Sequence, residues 1–263
     1  MFILRLLASL NDEGLIYYSI NLRRWTFDLQ KIELKEMSKD VVNHMTEHMS
    51  RLPGQTQLGL KLCACLGSHF DTMLLEKARK NSDIGDDFLT SCIELGYLVT
   101  EDDSSYRWSH DQIQQAAYEL IPMQEREKLH LQIGSRLLKS ASSLLMGTSS
   151  SEMERFLYLV ADNMNKGANL IDNIEQKRDV AELNLRAGEK VLQQQSYHSA
   201  VKYLMTGISL LGDESWEANY RLTLRLYDAG KSLLLLLTLS CVLVVNSNSL
   251  SCDLLQPLKL YVW

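Results

Sequence analysis

Four short stretches of this chain place reactive side chains at spacings that could do chemistry. His44, Glu47 and His48 follow H-x-x-E-H. On a helix that pattern puts two imidazoles one turn apart on one face, with a glutamate beside a bound zinc as base. No further glutamate stands out downstream as a ligand. Val41, Met45 and Met49 supply an apolar stripe, so the three polar residues read as the solvent face of an amphipathic helix and no metal site is assigned. Cys63-Ala64-Cys65 lacks both the C-x-x-C spacing and a second pair, and reads as core packing. Gly230-Lys231-Ser232 ends like a P-loop, but the glycine required five positions earlier is Arg225. The backbone cradle for phosphates is therefore missing. The fourth stretch is His110-Asp111, at the joint between a β-like run and a helix within Tyr106–Pro122. Asp111 is expected to cap that helix, whose stripe is Ile113, Ala116, Ala117 and Leu120. No Ser-His-Asp or Cys-His arrangement emerges, since His69, His130 and His198 stand in unrelated helical or loop contexts.

The elements that must position these residues are mostly helical. The 263 residues suffice for two modest domains, and 46% hydrophobic with 23% charged residues is ordinary for a globular protein. Only 3 prolines and 13 glycines leave room for long helices. A net charge of −6 argues against nucleic acid and against an anionic membrane face as partners. Five cysteines form no regular framework, which suits reduced thiols and a cytoplasmic location. The N-terminus lacks the pattern of a signal peptide. The apolar run Leu233–Val245 has 13 residues, short of the roughly 20 that span a bilayer.

Four regions follow from the patterning. Residues 1–35 begin with a helical stripe (Ile3, Leu6, Leu7, Leu10) and continue as two strands, Leu15–Ile20 and Arg24–Leu29, a hairpin expected to pack against a neighbour. Residues 36–122 give helices near Lys35–Arg51, Thr56–Leu66, Met73–Arg79 and Asp86–Leu95, then a hairpin over Tyr97–Ser109 and the helix after His110. Helices followed by a hairpin wing and a final helix make a winged-helix pattern. Residues 123–229 are helical: Gln124–Ser140, a Ser-rich loop, Glu152–Asn165, a hairpin over 176–212, and Trp216–Tyr227. Within that hairpin Gly188, Ala200, Leu204 and Gly207 take the small and bulky positions of a tetratricopeptide repeat (TPR), where small residues let two helices approach closely. Residues 230–263 form an atypical apolar tail.

Four strings carry a resemblance that runs from about Leu10 to Tyr227: EGLIYYSINLRRWTFDL, MSRLPGQTQLGLKLCACLGSHFD, YRWSHDQIQQAAYELIP and ISLLGDESWEANYRLTLRLY. They resemble the region after the AAA-type (STAND) ATPase core of large signalling proteins that join a Ser/Thr-kinase-like domain, that ATPase and a histidine kinase. The resemblance implies an ATPase-lid remnant, a winged helix and TPR-like hairpins. It also implies a regulatory segment that couples the ATPase state to neighbouring kinase or sensor domains. ATP or ADP and Mg would belong to the parent protein, and no cofactor and no catalytic residue is expected in this chain. In STAND ATPases generally a winged-helix histidine contacts the β-phosphate of bound ADP, which makes His110 the candidate phosphate sensor of the parent; a plain capping role is the alternative. The similarity ends after Asp228, and residues 230–263 are expected to come from a splice site, frameshift or truncated gene model.

Partners are expected to be proteins. A DNA-reading wing is disfavoured because Gly85–Asp111 carries Asp86, Asp87, Glu94, Glu101, Asp102, Asp103 and Asp111 against Arg107 alone. Two other readings stay open: a free-standing TPR-like adaptor, and a fragment of an ATP-binding protein kinase whose catalytic parts lie outside this chain.

Overall fold

Apolar stripes at helical spacing dominate the chain, and the fold is accordingly mainly helical with small antiparallel sheets. The computed structural model describes residues 7, 11, 14–20, 22–27, 37–80, 84–85, 87–102, 104–144, 150–212 and 215–231. Two compact units result, the first ending at Arg126 and the second beginning at Glu127. The tail 232–263, and the expected N-terminal stripe apart from Leu7, lie outside the described residues. Among the described residues no helix is long and apolar enough to cross a membrane.

The first unit opens with β1 (Ile16–Ser19) and β2 (Arg24–Phe27), an antiparallel pair in register from Ile16↔Phe27 to Ser19↔Arg24. Tyr17, Tyr18, Trp25 and Phe27 are all exposed. Helices α1 (Met37–Ser50) and α2 (Gly54–Leu66) follow, then β3 (His69–Asp71), α3 (Thr72–Arg79), α4 (Asp87–Glu94), β4 (Leu98–Thr100), β5 (Ser105–Trp108) and α5 (Asp111–Glu119). The three later strands form one antiparallel sheet in the order β3-β5-β4. Strand β3 is absent from the sequence reading, which ran this stretch directly into the next helix. Asp71 ends the strand and caps α3, its Oδ1 accepting from the Leu74 N–H at 2.6 Å.

Val42, Met45 and Met49 are the buried face of α1, and Thr46 ties that helix to α5 by donating to the Ala116 carbonyl at 3.1 Å. Gly59 on α2 lies against the buried Phe88 ring of α4, so near that an added Cβ would overlap the ring. Helix α4 ends as expected at Gly96, whose φ of 71° is left-handed. Cys63, Cys65 and Cys92 are buried thiols of this core, not joined in disulfides among the described residues. Burial pushes the Cys63 thiol up, and the neighbouring Cys92 and Cys65 add to it. Burial likewise pushes Cys92 up to about 12. Both are neutral, unreactive packing groups at physiological pH.

Helix α6 (Met123–Leu144) comes next, followed in the second unit by α7 (Ser150–Lys166), α8 (Ile174–Gln193), α9 (Tyr197–Leu211) and a short α10 (Ser215–Ala218). The first residues of the expected Ser-rich loop, 140–143, belong to α6, because serine costs a growing helix only about half a kcal/mol. The single helix expected over Trp216–Tyr227 is bent after Ala218, with residues 220–231 helical beyond it. The turn survives the bend, since Asn219 N–H still reaches the Ser215 carbonyl and Thr223 N–H the Asn219 carbonyl.

Gly188 and Gly207 both lie at close approaches between side chains. A Cβ on Gly188 would fall 2.8 Å from Leu204 Cδ2, and one on Gly207 would fall 2.9 Å from Leu226 Cδ2. Leu185, Leu204 and Leu226 form one buried cluster of this unit. Polar groups are also buried here and are paired, as they must be. His130 Nδ1 lies 2.8 Å from Asn163 Oδ1, and the Asn165 and Asn184 side-chain amides exchange two hydrogen bonds at 2.8 and 2.7 Å.

Candidate functional site

The joint between β5 and α5 is held from both sides. Trp108, the last residue of β5, is buried and donates from Nε1 to the Gly67 carbonyl at 3.0 Å. Ser109 donates from Oγ to the Gly96 carbonyl at 2.7 Å, and its N–H reaches the Tyr97 carbonyl at 3.0 Å. The chain thus enters α5 in a fixed direction. His110 follows in extended backbone with φ −160°, exposed to solvent.

His110, and not Asp111, is the N-cap. Its Nδ1 accepts from the Gln112 N–H at 3.2 Å, while Asp111 is already the first helical residue. The two differ in backbone: a cap needs non-helical φ/ψ, and only His110 has them. Asp111 still favours the helix as an acidic group in its first turn. Because Nδ1 accepts, a neutral His110 ring carries its proton on Nε2, the atom able to donate to a phosphate oxygen. Beside the cap, Gln112 Oε1 is a buried oxygen with no hydrogen-bond partner among the described residues. His110→Ala is expected to lower stability by about 1 kcal/mol. His110→Asp, which restores an acceptor, should lose less; urea titration followed by circular dichroism measures the difference.

The remaining sequence candidates are dispersed. His44 is exposed on α1, Glu47 pairs with Arg51 at 2.6 Å, and His48 Nδ1 lies 2.7 Å from the Tyr97 hydroxyl. Among the described residues no group of three or more His, Cys, Asp or Glu is placed to hold a metal. Gly230 and Lys231 are helical rather than in a loop, and Ser232 lies outside the described residues.

One arrangement escaped sequence reasoning. Strand β3 brings His69 next to Ser68 Oγ, 3.0 Å from Nδ1, while Nε2 lies 3.5 Å from Glu101 Oε1. The order Ser–His–acid is that of a nucleophilic triad, but the residues sit on an open sheet surface. Arg107 Nε also holds the same Glu101 oxygen at 3.2 Å, so the acid is shared. All three residues are exposed, and together with Arg107 they form a hydrogen-bonded and ionic cluster on the surface. In the second unit an open groove of about 400 Å³ is lined by Glu189, Leu192, Gln193, Arg225, Asp228 and Ala229. Arg225 faces Glu189 there at 3.0 and 3.2 Å.

No family model and no solved structure matches this chain. Among curated proteins it is similar to hybrid signal transduction histidine kinase G of Dictyostelium discoideum, 24% identical over 281 aligned residues. The alignment takes in 86% of this chain and 8% of that kinase. The similarity thus covers most of this chain but only a small part of that kinase's length.

Proposed function

We propose that this chain is a non-catalytic regulatory and interaction segment of a STAND-type signalling ATPase of the hybrid-kinase kind. In this reading it couples the state of an ATPase to neighbouring kinase or sensor domains. The observation that carries the reading is the alignment over 86% of the chain with a hybrid histidine kinase. Topology supports its finer parts. In the first unit α1 and α2 precede β3, α3 and α4 separate β3 from β4, and the sheet order β3-β5-β4 agrees with that of a winged helix. In the second, α8 and α9 cross closely where Gly188 faces Leu204, as the two helices of a TPR do. The partners are proteins, and the acidic residues around β4 and β5 disfavour nucleic acid.

In the parent, His110 would present Nε2 to a nucleotide phosphate contributed by the ATPase core, while Nδ1 stays occupied at the helix N-terminus. This chain holds no P-loop. Calorimetric titration of the purified chain with Mg-ATP and with ADP is expected to give no heat above dilution, and a coupled assay no turnover. Capture of the parent's ATPase or kinase segments by the chain supports the coupling role. ATP hydrolysis by the chain alone, or micromolar ADP binding lost in His110→Ala, would overturn the proposal.

A further inference from the structure

The exposed hairpin carries a second kind of chemistry. Arg23-Arg24-Trp25-Thr26-Phe27 places two guanidinium groups three and two residues before a hydroxyl and an apolar ring directly after it. Basophilic Ser/Thr kinases choose substrates by charge pattern, with carboxylates opposite the basic positions and an apolar pocket for the residue that follows the acceptor. We propose that Thr26 is a phosphorylation site for a kinase of that class.

The structure makes the segment presentable. Arg23, Arg24, Trp25 and Phe27 are exposed; Arg24–Phe27 is already extended, the form in which a peptide lies along a groove, while Arg23 stands in the preceding turn with a left-handed φ of 47°. Among the described residues four pairs join β2 to β1. A two-stranded hairpin is marginal in water, so peeling β2 away costs little. The Thr26 hydroxyl donates from Oγ1 to the Tyr17 carbonyl at 3.1 Å. In the reaction Oγ1 forms a bond to the γ-phosphorus of ATP, the bond from that phosphorus to the leaving oxygen of ADP breaks, and the hydroxyl proton passes to the kinase's catalytic carboxylate. The product replaces the donor to Tyr17 by an acceptor-only group of about −1.5 to −2 charge, which removes that cross-strand bond.

Competing acceptors are poorer. Thr223, two residues after Arg221, is buried, and the Ser109 hydroxyl, two after Arg107, is bonded within the joint. Ser82 follows Arg79-Lys80 at the same spacing, but Asp83 would put a charge into the apolar pocket.

The test incubates the purified chain with the catalytic subunit of a basophilic Ser/Thr kinase and Mg-ATP, and maps phosphate by mass spectrometry. Phosphate is expected on Thr26, and Thr26→Val should abolish incorporation there. The double change Arg23→Ala with Arg24→Ala should slow it by at least roughly tenfold, the effect of losing one or more charge pairs. Arg24→Lys keeps the charge and should retain most of the rate, which separates recognition from any folding loss. Phosphate found only elsewhere, or an undiminished rate in the double alanine variant, overturns the proposal.

Discussion

Trp108→Ala is expected to destabilise the first unit by about 3–5 kcal/mol, a large part of the 5–15 kcal/mol that holds a typical domain together. Trp108 is only 4% exposed and stands where three elements meet. It pairs with Leu98 across the sheet, its backbone N–H reaches the Ser68 carbonyl at 3.3 Å, and its indole N–H holds the Gly67 carbonyl. Alanine removes the ring, leaves a cavity and strips the Gly67 oxygen of its donor. Trp108→Phe removes only the hydrogen bond and part of the volume, so it should cost about 1–3 kcal/mol. Urea unfolding by circular dichroism orders the two, with hydrogen exchange over residues 54–121 locating the loss. Equal midpoints for the two variants would show that the ring does not anchor the joint.

The same joint shows what a linear reading can and cannot see. Ile113, Ala116 and Ala117 stand out from their spacing alone and are buried. Periodicity reports which face is apolar and needs nothing from outside the helix. The cap was one residue off, because His and Asp can both accept from a helix N–H and only the backbone angle distinguishes Ncap from the first helical residue. Strand β3 is three residues long with one buried side chain, Phe70, too little for alternation to register. Its partner β5 lies more than thirty positions away, so nothing local announces the pairing. The Ser68–His69–Glu101 cluster was invisible for the same reason: it exists only once β3 and the wing share a sheet. The strand-to-helix joint at His110 was legible because its extended run, cap and apolar stripe follow one another in sequence, whereas its bonds to Gly67 and Gly96 were not. By contrast the groove at Glu189 and Arg225 joins residues 36 positions apart, and charge alone does not say which pairs meet.

Leu204→Ala is expected to cost the second unit about 2–5 kcal/mol, and its size should depend on Gly188. Leu204 is 2% exposed and clusters with Leu185 and Leu226. Gly188 lies beneath it, where an added Cβ would come within 2.8 Å of Cδ2 and 2.9 Å of Cγ. Gly188→Ala by itself gains about 1 kcal/mol of helix propensity but overpacks the crossing by about 1–3 kcal/mol, so it should be mildly destabilising. In the double variant the shortened side chain at 204 leaves room for the methyl group at 188. The clash disappears, part of the cavity fills and the propensity gain remains. The pair should therefore lose less than the sum of the single changes, with a coupling of about 1 kcal/mol or more. Thermal and urea unfolding of all four proteins measures it. Strict additivity would mean that the helices can separate freely at this point, and the close crossing that supports the repeat-like reading of α8 and α9 would be lost with it.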